Sequence, residues 1–351
     1  MERRDFIKSA TFAALAMPEM ISVKPFANSK MGVVVHSYAA RFGSKVASQK
    51  YPGFNNAIDL LEHCRQIGAG GVQVVIKDWS SDFAKKVRDK RENFGMYLEG
   101  SIQLPKTAEA IVNFENDVKA AKESGASIIR TVSLGGRRYE VFHKNGEFQE
   151  FQKKAIDSLR LAEPILRKHK IKLGVENHKD WRANELVNVL KLIDSEWIGV
   201  TLDFGNSIAI LEDPMEVINT LAPYTFSTHI KDMAVDEYQN GFLLAEVPMG
   251  KGILDLPAMV KICQKYNPNV NFNLEMITRD ALEIPCITTD YWASMEGVSG
   301  YDLAKTLQLV KEKKVKVPIQ KISILNAEEK LAAEENNILE SFRFANDKLA
   351  L

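Results

Sequence analysis

Four short apolar runs decide the fold of this chain: Leu173-Gly-Val-Glu176, Gly199-Val-Thr-Leu-Asp203, Phe226-Ser-Thr-His229 and Val270-Asn-Phe-Asn-Leu-Glu275. Each run has the length and the aliphatic, aromatic or β-branched content of a buried strand. Each ends in a carboxylate or an imidazole and is separated from the next by a segment long enough for a helix. In parallel α/β folds the carboxyl ends of the strands are where chemistry is built. The runs therefore predict that these three carboxylates and one imidazole point at a common centre.

The same alternation of strand and helix extends over most of the chain. Upstream strands are predicted at 31–35, 72–76, 96–104 and 127–132, and the last helix of the series is predicted at 302–313. Eight strand and helix alternations predict an α/β fold, a (β/α)8 TIM barrel with an extra C-terminal helix. The alternative is an open doubly wound sheet, which would usually carry a glycine-rich phosphate turn after its first strand; His36-Ser-Tyr-Ala39 is not one.

Two segments exceed what a barrel needs. Alanine, glutamate and leucine recur at helical spacing from 327 to 349, so we assign 30–318 to the barrel and 319–351 to a C-terminal helical extension. We expect this helix to pack on the outside of the barrel or on a second subunit. Residues 277–300 predict either a lid over the site or a surface insertion.

The first 29 residues predict an export signal. Arg3 and Arg4 precede an aromatic, an aliphatic and a lysine residue, and a moderately apolar run follows over 10–17. The pattern is similar to a twin-arginine signal, and the run is too short to span a membrane. Pro18 and Glu19 interrupt the run, and no clean Ala-x-Ala cleavage site follows. We expect a periplasmic or exported protein; the alternative is a cytoplasmic one with a basic amino terminus.

Composition limits the class of partner. The 351 residues contain 46 Lys plus Arg and 46 Asp plus Glu, so no overall basic field favours nucleic acid. Three cysteines, Cys64, Cys263 and Cys286, lie far apart and form neither a zinc knuckle nor a disulfide framework. We therefore expect a small-molecule substrate, no nucleic acid and no membrane span. A homodimer through the barrel's helices or rim would fit.

The residue types at the four strand ends favour a metal. A lone acid after a strand is more often a helix cap or a salt-bridge partner, but four such residues after successive strands are typical of a site. Three oxygen donors and one imidazole suit one divalent ion, Mn²⁺, Co²⁺, Mg²⁺ or Zn²⁺, whereas a structural zinc site would favour cysteine. An ion that chelates neighbouring carbonyl and hydroxyl oxygens acidifies the adjacent C–H and stabilises an enediolate. Glu176 and Glu275 would then stand on opposite sides as base and acid.

Other side chains have a functional and a structural interpretation. His178 shares strand parity with Glu176 and could reach the substrate, although the strand is ending there. Lys231 could donate a proton or bind a substrate oxygen, or it could pair with a neighbouring acid. Arg137, with Arg138 beside it in a glycine-bearing loop, could clamp a phosphate or carboxylate or simply be solvated. His36 could line the pocket or be a satisfied core histidine.

Five motifs carry a resemblance to a known family: Val175-Glu-Asn-His178, Leu202-Asp-Phe-Gly-Asn206, Thr228-His-Ile-Lys-Asp232, Val247-Pro-Met-Gly-Lys-Gly252 and Leu274-Glu275. In this order and spacing they resemble the xylose isomerase-like TIM barrel superfamily, the sugar phosphate isomerase/epimerase group. The resemblance implies one divalent ion on Glu176, Asp203, His229 and Glu275, with the two glutamates as proton carriers. It also implies that His178 and Lys231 face substrate oxygens.

Departures from the family pattern limit the function. Asn206 stands where the endonuclease branch and some epimerases have histidine, and we assign it to substrate binding. Leu244-Ala-Glu246 replaces the Asp-x-His of the endonucleases, which argues against a multi-metal phosphodiesterase. We predict a metal-dependent isomerase or epimerase of a sugar or keto-sugar. The alternatives are a lyase or dehydratase working by β-elimination from the same enediolate, and a sugar-binding barrel without catalysis.

Overall fold

Eight parallel strands close into a barrel in this computed structural model, which describes residues 29–44 and 46–351. In chain order the strands are β1 (Met31–Val34), β2 (Gly71–Val75), β3 (Tyr97–Ser101), β4 (Ile128–Thr131), β5 (Lys172–Glu176), β6 (Ile198–Asp203), β7 (Thr225–Ile230), β8 (Asp232–Tyr238), β9 (Gly241–Val247), β10 (Asn271–Leu274) and β11 (Leu282–Ile284). The barrel contains β1 to β7 and β10, and β10 closes it by pairing with β1. The predicted (β/α)8 fold is confirmed.

The helices cover the outside of the barrel. They are α1 (Ala39–Phe42), α2 (Ala57–Gln66), α3 (Ser81–Phe94), α4 (Ile111–Glu123), α5 (Arg138–Val141), α6 (Asn145–His169), α7 (Ala183–Ile193), α8 (Pro214–Leu221), α9 (Leu256–Tyr266), α10 (Thr289–Trp292), α11 (Gly300–Lys313) and α12 (Ala327–Phe344). The apolar faces of most of these helices share one large hydrophobic core with the barrel strands, whereas α5, α10 and α11 contribute to a second cluster. Local chemistry sets the helix starts: at α8, Asp213 accepts from the backbone N–H groups of Met215 and Glu216.

A three-stranded antiparallel sheet, not predicted from the sequence, lies beside the barrel. β8 and β9 form a hairpin, and β11 pairs with the free edge of β9. The sheet packs with α11 around a second hydrophobic cluster that includes Phe242, Ile284 and Tyr291. The segment predicted as a lid or insertion, 277–300, is therefore packed into this cluster, and its Ile277 and Arg279 line the site described below.

Asp232 explains the glycines of the Gly250-Lys-Gly252 motif. Its carboxylate accepts hydrogen bonds from the backbone N–H groups of Gly250, Gly252 and Leu254. A Cβ atom on Gly252 would lie 2.3 Å from Asp232 Oδ1, so a side chain there would destroy this arrangement. The motif therefore fixes the loop between β9 and α9, and Asp232 is occupied by that loop.

The C-terminal extension is helical, as predicted, and packs on the barrel. Ile338 and Phe342 of α12 belong to the main core. Glu334 accepts from the backbone N–H groups of Ala40 and Arg41 in α1, the short helix that follows β1. The Arg41 guanidinium, only 3% exposed, donates to Glu335 at 2.9 Å. These contacts fix α12 beside the carboxyl end of the first strand.

The predicted export signal at 1–29 lies outside the described residues, apart from residue 29. Among the residues that are described, none of the helices combines the length and apolar character needed to cross a bilayer.

Candidate metal centre and substrate cavity

Four side chains from successive barrel strands meet at the carboxyl end of the barrel. Each of Glu176, Asp203, His229 and Glu275 offers one ligand atom, and these atoms all lie within 4.8 Å of one another. Glu176 and Asp203 end β5 and β6, His229 is the last but one residue of β7, and Glu275 follows β10 directly. The four residues are at most 4% exposed. This convergence is the one that the strand ends predict.

Strand register brings the four residues to the same level. β6 and β7 pair with an irregularity at Val200 and Thr201, so Thr201 lies opposite Ser227 and Asp203 lies opposite His229. Bulges of this kind re-aim side chains near functional sites. On the other side of His229, its register partner in β10 is Asn273, and the backbone N–H of Glu275 donates to the Ile230 carbonyl at 3.0 Å.

The loop after β6 orients Asp203. Its Oδ1 accepts from the backbone N–H groups of Gly205 (2.9 Å) and Asn206 (2.7 Å). Oδ2 is left facing the cluster, 2.7 Å from Lys231 Nζ but without hydrogen-bond geometry. Burial raises the pKa of Asp203 above its ordinary value, although Lys231 opposes the shift.

A buried polar chain fixes the orientation and tautomer of His229. Four donors point at the Glu99 carboxylate, from Gln73 Nε2, Ser227 Oγ, Asn271 Nδ2 and Asn273 Nδ2. Because the amide nitrogen of Gln73 donates to Glu99, its Oε1 faces His229 Nε2 at 2.8 Å and must accept. The proton of a neutral His229 is thereby held on Nε2, and Nδ1 turns towards the carboxylates.

Cations hold the two glutamates ionised. Arg130 Nε donates to Glu176 Oε2 at 2.6 Å, and Lys231 Nζ donates to Glu275 Oε2 at 2.9 Å. Burial opposes ionisation of both carboxyl groups, but Arg130 and His229 at Glu176, and Lys231 and His229 at Glu275, hold each pKa well below its usual range. Burial would lower the pKa of Lys231, whereas Asp203 and Glu275 raise it above the ordinary value.

The donor set fits a divalent ion. His229 Nδ1 and Asp203 Oδ2 are both fully buried and have no hydrogen-bond partner in the part of the chain that the structure describes. Unsatisfied buried polar atoms are rare, and each calls for an explanation. Nδ1 lies 3.4 Å from both Glu176 Oε2 and Glu275 Oε1. One ion bound by three carboxylate oxygens and this nitrogen would satisfy both atoms.

A small cavity of about 180 Å³ opens over the centre. Besides Glu275 and Gly135, its lining consists of four aliphatic or histidine residues, His36, Val132, His178 and Ile277, and four cations, Arg130, Lys179, Lys231 and Arg279. A larger groove of about 830 Å³ lies between α7, α8 and α11, and none of the predicted site residues lines it. The smaller cavity is therefore the candidate substrate site, because Glu275 of the four converging residues lines it.

The structure brings two of the four predicted substrate-binding residues, His36 and His178, to this cavity. His36 Nδ1 lies 3.6 Å from Glu275 Oε1, and the side chain is 40% exposed. His178 Nδ1 donates to the Leu134 carbonyl at 3.1 Å, which leaves Nε2 as an acceptor. Burial lowers the pKa of His178 to about 3, so the ring is neutral. Asn206 lies behind the cavity wall, where its Nδ2 donates to Glu176 Oε1 at 3.0 Å.

Arg137 is not brought to the cavity. Its guanidinium pairs with Glu140 one helical turn away, and Arg137 is not among the lining residues. Arg138 is the buried member of the pair and donates to Glu185 and to the Ser294 carbonyl. The predicted anion clamp at Arg137 is therefore corrected. Glu140 neutralises Arg137, and Arg138 links its own loop to Glu185 and to the Ser294 carbonyl.

Sequence reasoning missed two cations that line the site, Arg130 and Lys179. Arg130 lies within β4, where a buried strand gives no reason to expect a charge. Lys179 is 4% exposed, and its Nζ donates to Asn206 Oδ1, which also accepts from Lys231 at 3.2 Å. The signal that could have found Lys179 is its position, three residues after Glu176 in a loop at the active edge of the barrel.

The backbone of Lys179 is strained, with φ of 102°. Such conformations cost about 1–3 kcal/mol for a residue with a Cβ atom and persist where the surroundings impose them. Here Asp180 accepts from the backbone N–H groups of His178, Trp181 and Leu134. The Lys179 carbonyl accepts from the Arg138 N–H at 3.0 Å. The loop thus fixes Lys179 with its amine in the cavity.

Comparisons with known proteins agree with this architecture. Residues 61–294 match the model of the xylose isomerase-like TIM barrel family. A curated relative, the 3-oxo-isoapionate decarboxylase of Pectobacterium atrosepticum, is 26% identical over 254 residues, which cover 70% of this chain and 87% of the relative.

Two solved structures share the fold. A xylose isomerase-like TIM barrel protein from Mycobacterium smegmatis in complex with magnesium is 16% identical, with a TM-score of 0.52 over 80% of this chain and 97% of that one. A D-psicose 3-epimerase, solved in the presence of D-fructose, is 14% identical, with a TM-score of 0.54 over 81% and 97%.

Proposed function

Since the chain belongs to the xylose isomerase-like TIM barrel family, we propose that it is a divalent-metal-dependent enzyme that transfers a proton next to the carbonyl of a small keto-sugar. The leading reaction class is isomerisation or epimerisation. The single observation that carries the proposal is the buried cluster of Glu176, Asp203, His229 and Glu275, in which two ligand atoms make no hydrogen bond among the described residues.

The metal ion would supply Lewis acidity, which makes the C–H next to a chelated carbonyl easier to deprotonate. The protein's own groups would carry the proton. Glu275 lines the cavity and Glu176 lies opposite, across His229. Both carboxyl groups are held ionised, so either can accept a proton at neutral pH.

Neighbouring side chains would position these carboxylates and the substrate. Lys231 donates to Oε2 of Glu275, so that Oε1 faces His36 and the candidate metal centre. His178 is neutral and presents Nε2 as an acceptor for a substrate hydroxyl. Arg130 and Asn206 each bind one oxygen of Glu176 and so restrict its rotation.

A second reaction class, the lyases, is favoured by a specific observation. The curated relative with 26% identity is a decarboxylase. In an elimination, a carboxylate would take the proton from the carbon next to the carbonyl and the β-hydroxyl would leave as water. In a decarboxylation, carbon dioxide would leave from that carbon and a proton would be delivered to it, so both reactions would use the same ion and carboxylates. The two classes differ in whether the product retains the mass of the substrate.

Turnover in deuterated water separates the classes. The metal-loaded protein would be incubated with a panel of keto-sugars and keto-sugar acids and the products analysed by mass spectrometry. An isomerase or epimerase gives a product of substrate mass plus exchanged deuterium, whereas a lyase releases water or carbon dioxide. Glu275→Gln should abolish either reaction, and the exposed Glu283→Gln on β11 is the matched control. Absence of exchange and of product from every compound would contradict the proposal.

A further inference from the structure

The cavity wall is cationic. Four of its lining residues are lysine or arginine, and Glu275 is the single carboxylate in the lining. Three of the cations are neutralised by partners: Arg130 by Glu176, Lys231 by Asp203 and Glu275, and Arg279 by Glu246. The fourth cation, Lys179, differs from them.

Lys179 has no acidic partner. Among the described residues, no carboxylate oxygen lies within 4.0 Å of its Nζ, whose hydrogen-bond acceptor is the neutral amide of Asn206. Residue Lys179 is 4% exposed, so little water replaces a missing anion. A buried charge without a counter-ion is costly, and such groups are found paired or at sites that bind charged ligands. Burial and the nearby Lys231 lower the pKa of Lys179 to about 8, so the amine is still mostly charged at neutral pH.

The loop that presents Lys179 is held in a strained conformation by several hydrogen bonds. The left-handed backbone at Lys179 is imposed by the bonds to Asp180 and by the bond from the Arg138 N–H. A lysine needed only for packing could be carried on relaxed backbone. The restraint instead fixes the amine at the cavity that adjoins Glu275.

Building on the proposed function, we infer that Lys179 binds a carboxylate of the substrate, and hence that the substrate is a keto-sugar acid. One unpaired cation balances the single charge of a carboxylate, whereas a phosphate carries about two negative charges at pH 7. The cavity of about 180 Å³ also favours the smaller group.

The test is equilibrium binding of three compounds that differ only at C1. They are 2-keto-D-gluconate, with a carboxylate, D-fructose, with a hydroxymethyl group, and D-fructose 1-phosphate. Affinities for the Mn²⁺-loaded protein would be measured by calorimetry with wild type, Lys179→Met, Lys179→Arg and the exposed-lysine control Lys251→Met.

Wild type and Lys251→Met should bind 2-keto-D-gluconate at least about tenfold more tightly than D-fructose. Lys179→Met should lose this preference, and Lys179→Arg should keep most of it. Lys179→Gly, which relieves the strained backbone, should unfold at a higher denaturant midpoint and still lose the preference. Equal affinity of wild type for the two sugars, no binding of the acid, or a preference retained by Lys179→Met would overturn the inference. Tighter binding of the phosphate than of the acid would overturn the carboxylate assignment.

The two proposals fail in different ways. Binding is measured without turnover, so loss of the carboxylate preference leaves the metal-dependent proton transfer standing. Conversely, absence of deuterium exchange would refute the proposed reaction even if Lys179 selects the acid.

Discussion

Replacing Gln73 by leucine tests whether the polar chain under the site prepares His229 for a metal ion. Gln73 Oε1 is the acceptor of His229 Nε2–H, and the two residues are 1% and 0% exposed. Burial opposes protonation of His229, but Glu275 and Glu176 raise its pKa to about 9, so without an ion Nδ1 also carries a proton, which faces these carboxylates. The metal-free variant can therefore release the Nε2 proton and keep the proton on Nδ1. An ion on Nδ1 forces the proton back to Nε2, which then has no acceptor.

The cost therefore falls on the metal-bound form. A buried N–H without an acceptor costs about 1–3 kcal/mol. Since about 1.4 kcal/mol is tenfold in affinity, Gln73→Leu should weaken binding about 5- to 150-fold, in the range of about 10–100-fold observed when partners of metal-binding histidines are removed.

The assay is a calorimetric titration with Mn²⁺, accompanied by a denaturant titration of each variant. Tyr97→Phe is the matched control, because it perturbs the same floor of the barrel at Asn273 Oδ1 (3.1 Å) and leaves Gln73 and His229 in place. Its affinity for Mn²⁺ should stay within about twofold of wild type, which corresponds to about 0.4 kcal/mol of binding free energy. A folded Gln73→Leu variant with wild-type affinity would refute the role of the polar chain.

Three further predictions concern pH and stability. Affinity for 2-keto-D-gluconate should be high below pH 8 and fall as the pH rises through the Lys179 pKa of about 8, because the amine loses its charge; a flat calorimetric profile from pH 6 to 9 would contradict this. Leu61→Ala should lower the free energy of unfolding by about 2–5 kcal/mol, whereas the 61% exposed Leu192→Ala should change it by less than about 0.5 in the same denaturant titration. Glu335→Gln should leave buried Arg41 without its counter-ion, lower the free energy of unfolding by about 3 kcal/mol and speed amide exchange across α12. Unchanged exchange would argue against a role of the Arg41–Glu335 pair in holding α12.

The barrel and the four converging residues were predictable because the signals are local. Buried parallel strands appear in the sequence as short apolar runs, and the fold places their carboxyl ends at one edge. The starts of α8 and α9 also carry local signals, since each begins with an aspartate cap followed by proline or leucine-proline.

The hairpin of β8 and β9 was missed although it carries a signal. Asn240-Gly241 is a hairpin turn dipeptide between two apolar segments, and Gly241 has φ of 148°. The regular alternation of barrel strands and helices hides this signal, because the segment falls where the alternation expects only a connection between a strand and the next helix.

Arg137 and Lys179 could not be assigned from sequence because tertiary contacts decide them. Which of two adjacent arginines is buried depends on Glu185 and the Ser294 carbonyl, from distant parts of the chain. The left-handed backbone of Lys179 has no signature in the residue itself and comes from the carboxylate of Asp180.

Metal analysis of the purified chain tests the central claim most directly. With excess Mn²⁺ or Co²⁺ removed by gel filtration, wild type should retain about one ion per chain, as one site of four ligands predicts, and Glu275→Gln should retain much less while remaining folded. The exposed Glu283→Gln should match wild type. Two or three ions per chain would contradict a single centre. No ion, even after addition of Mn²⁺ or Co²⁺, would mean that the four converging residues are structural and that the proposed chemistry is wrong.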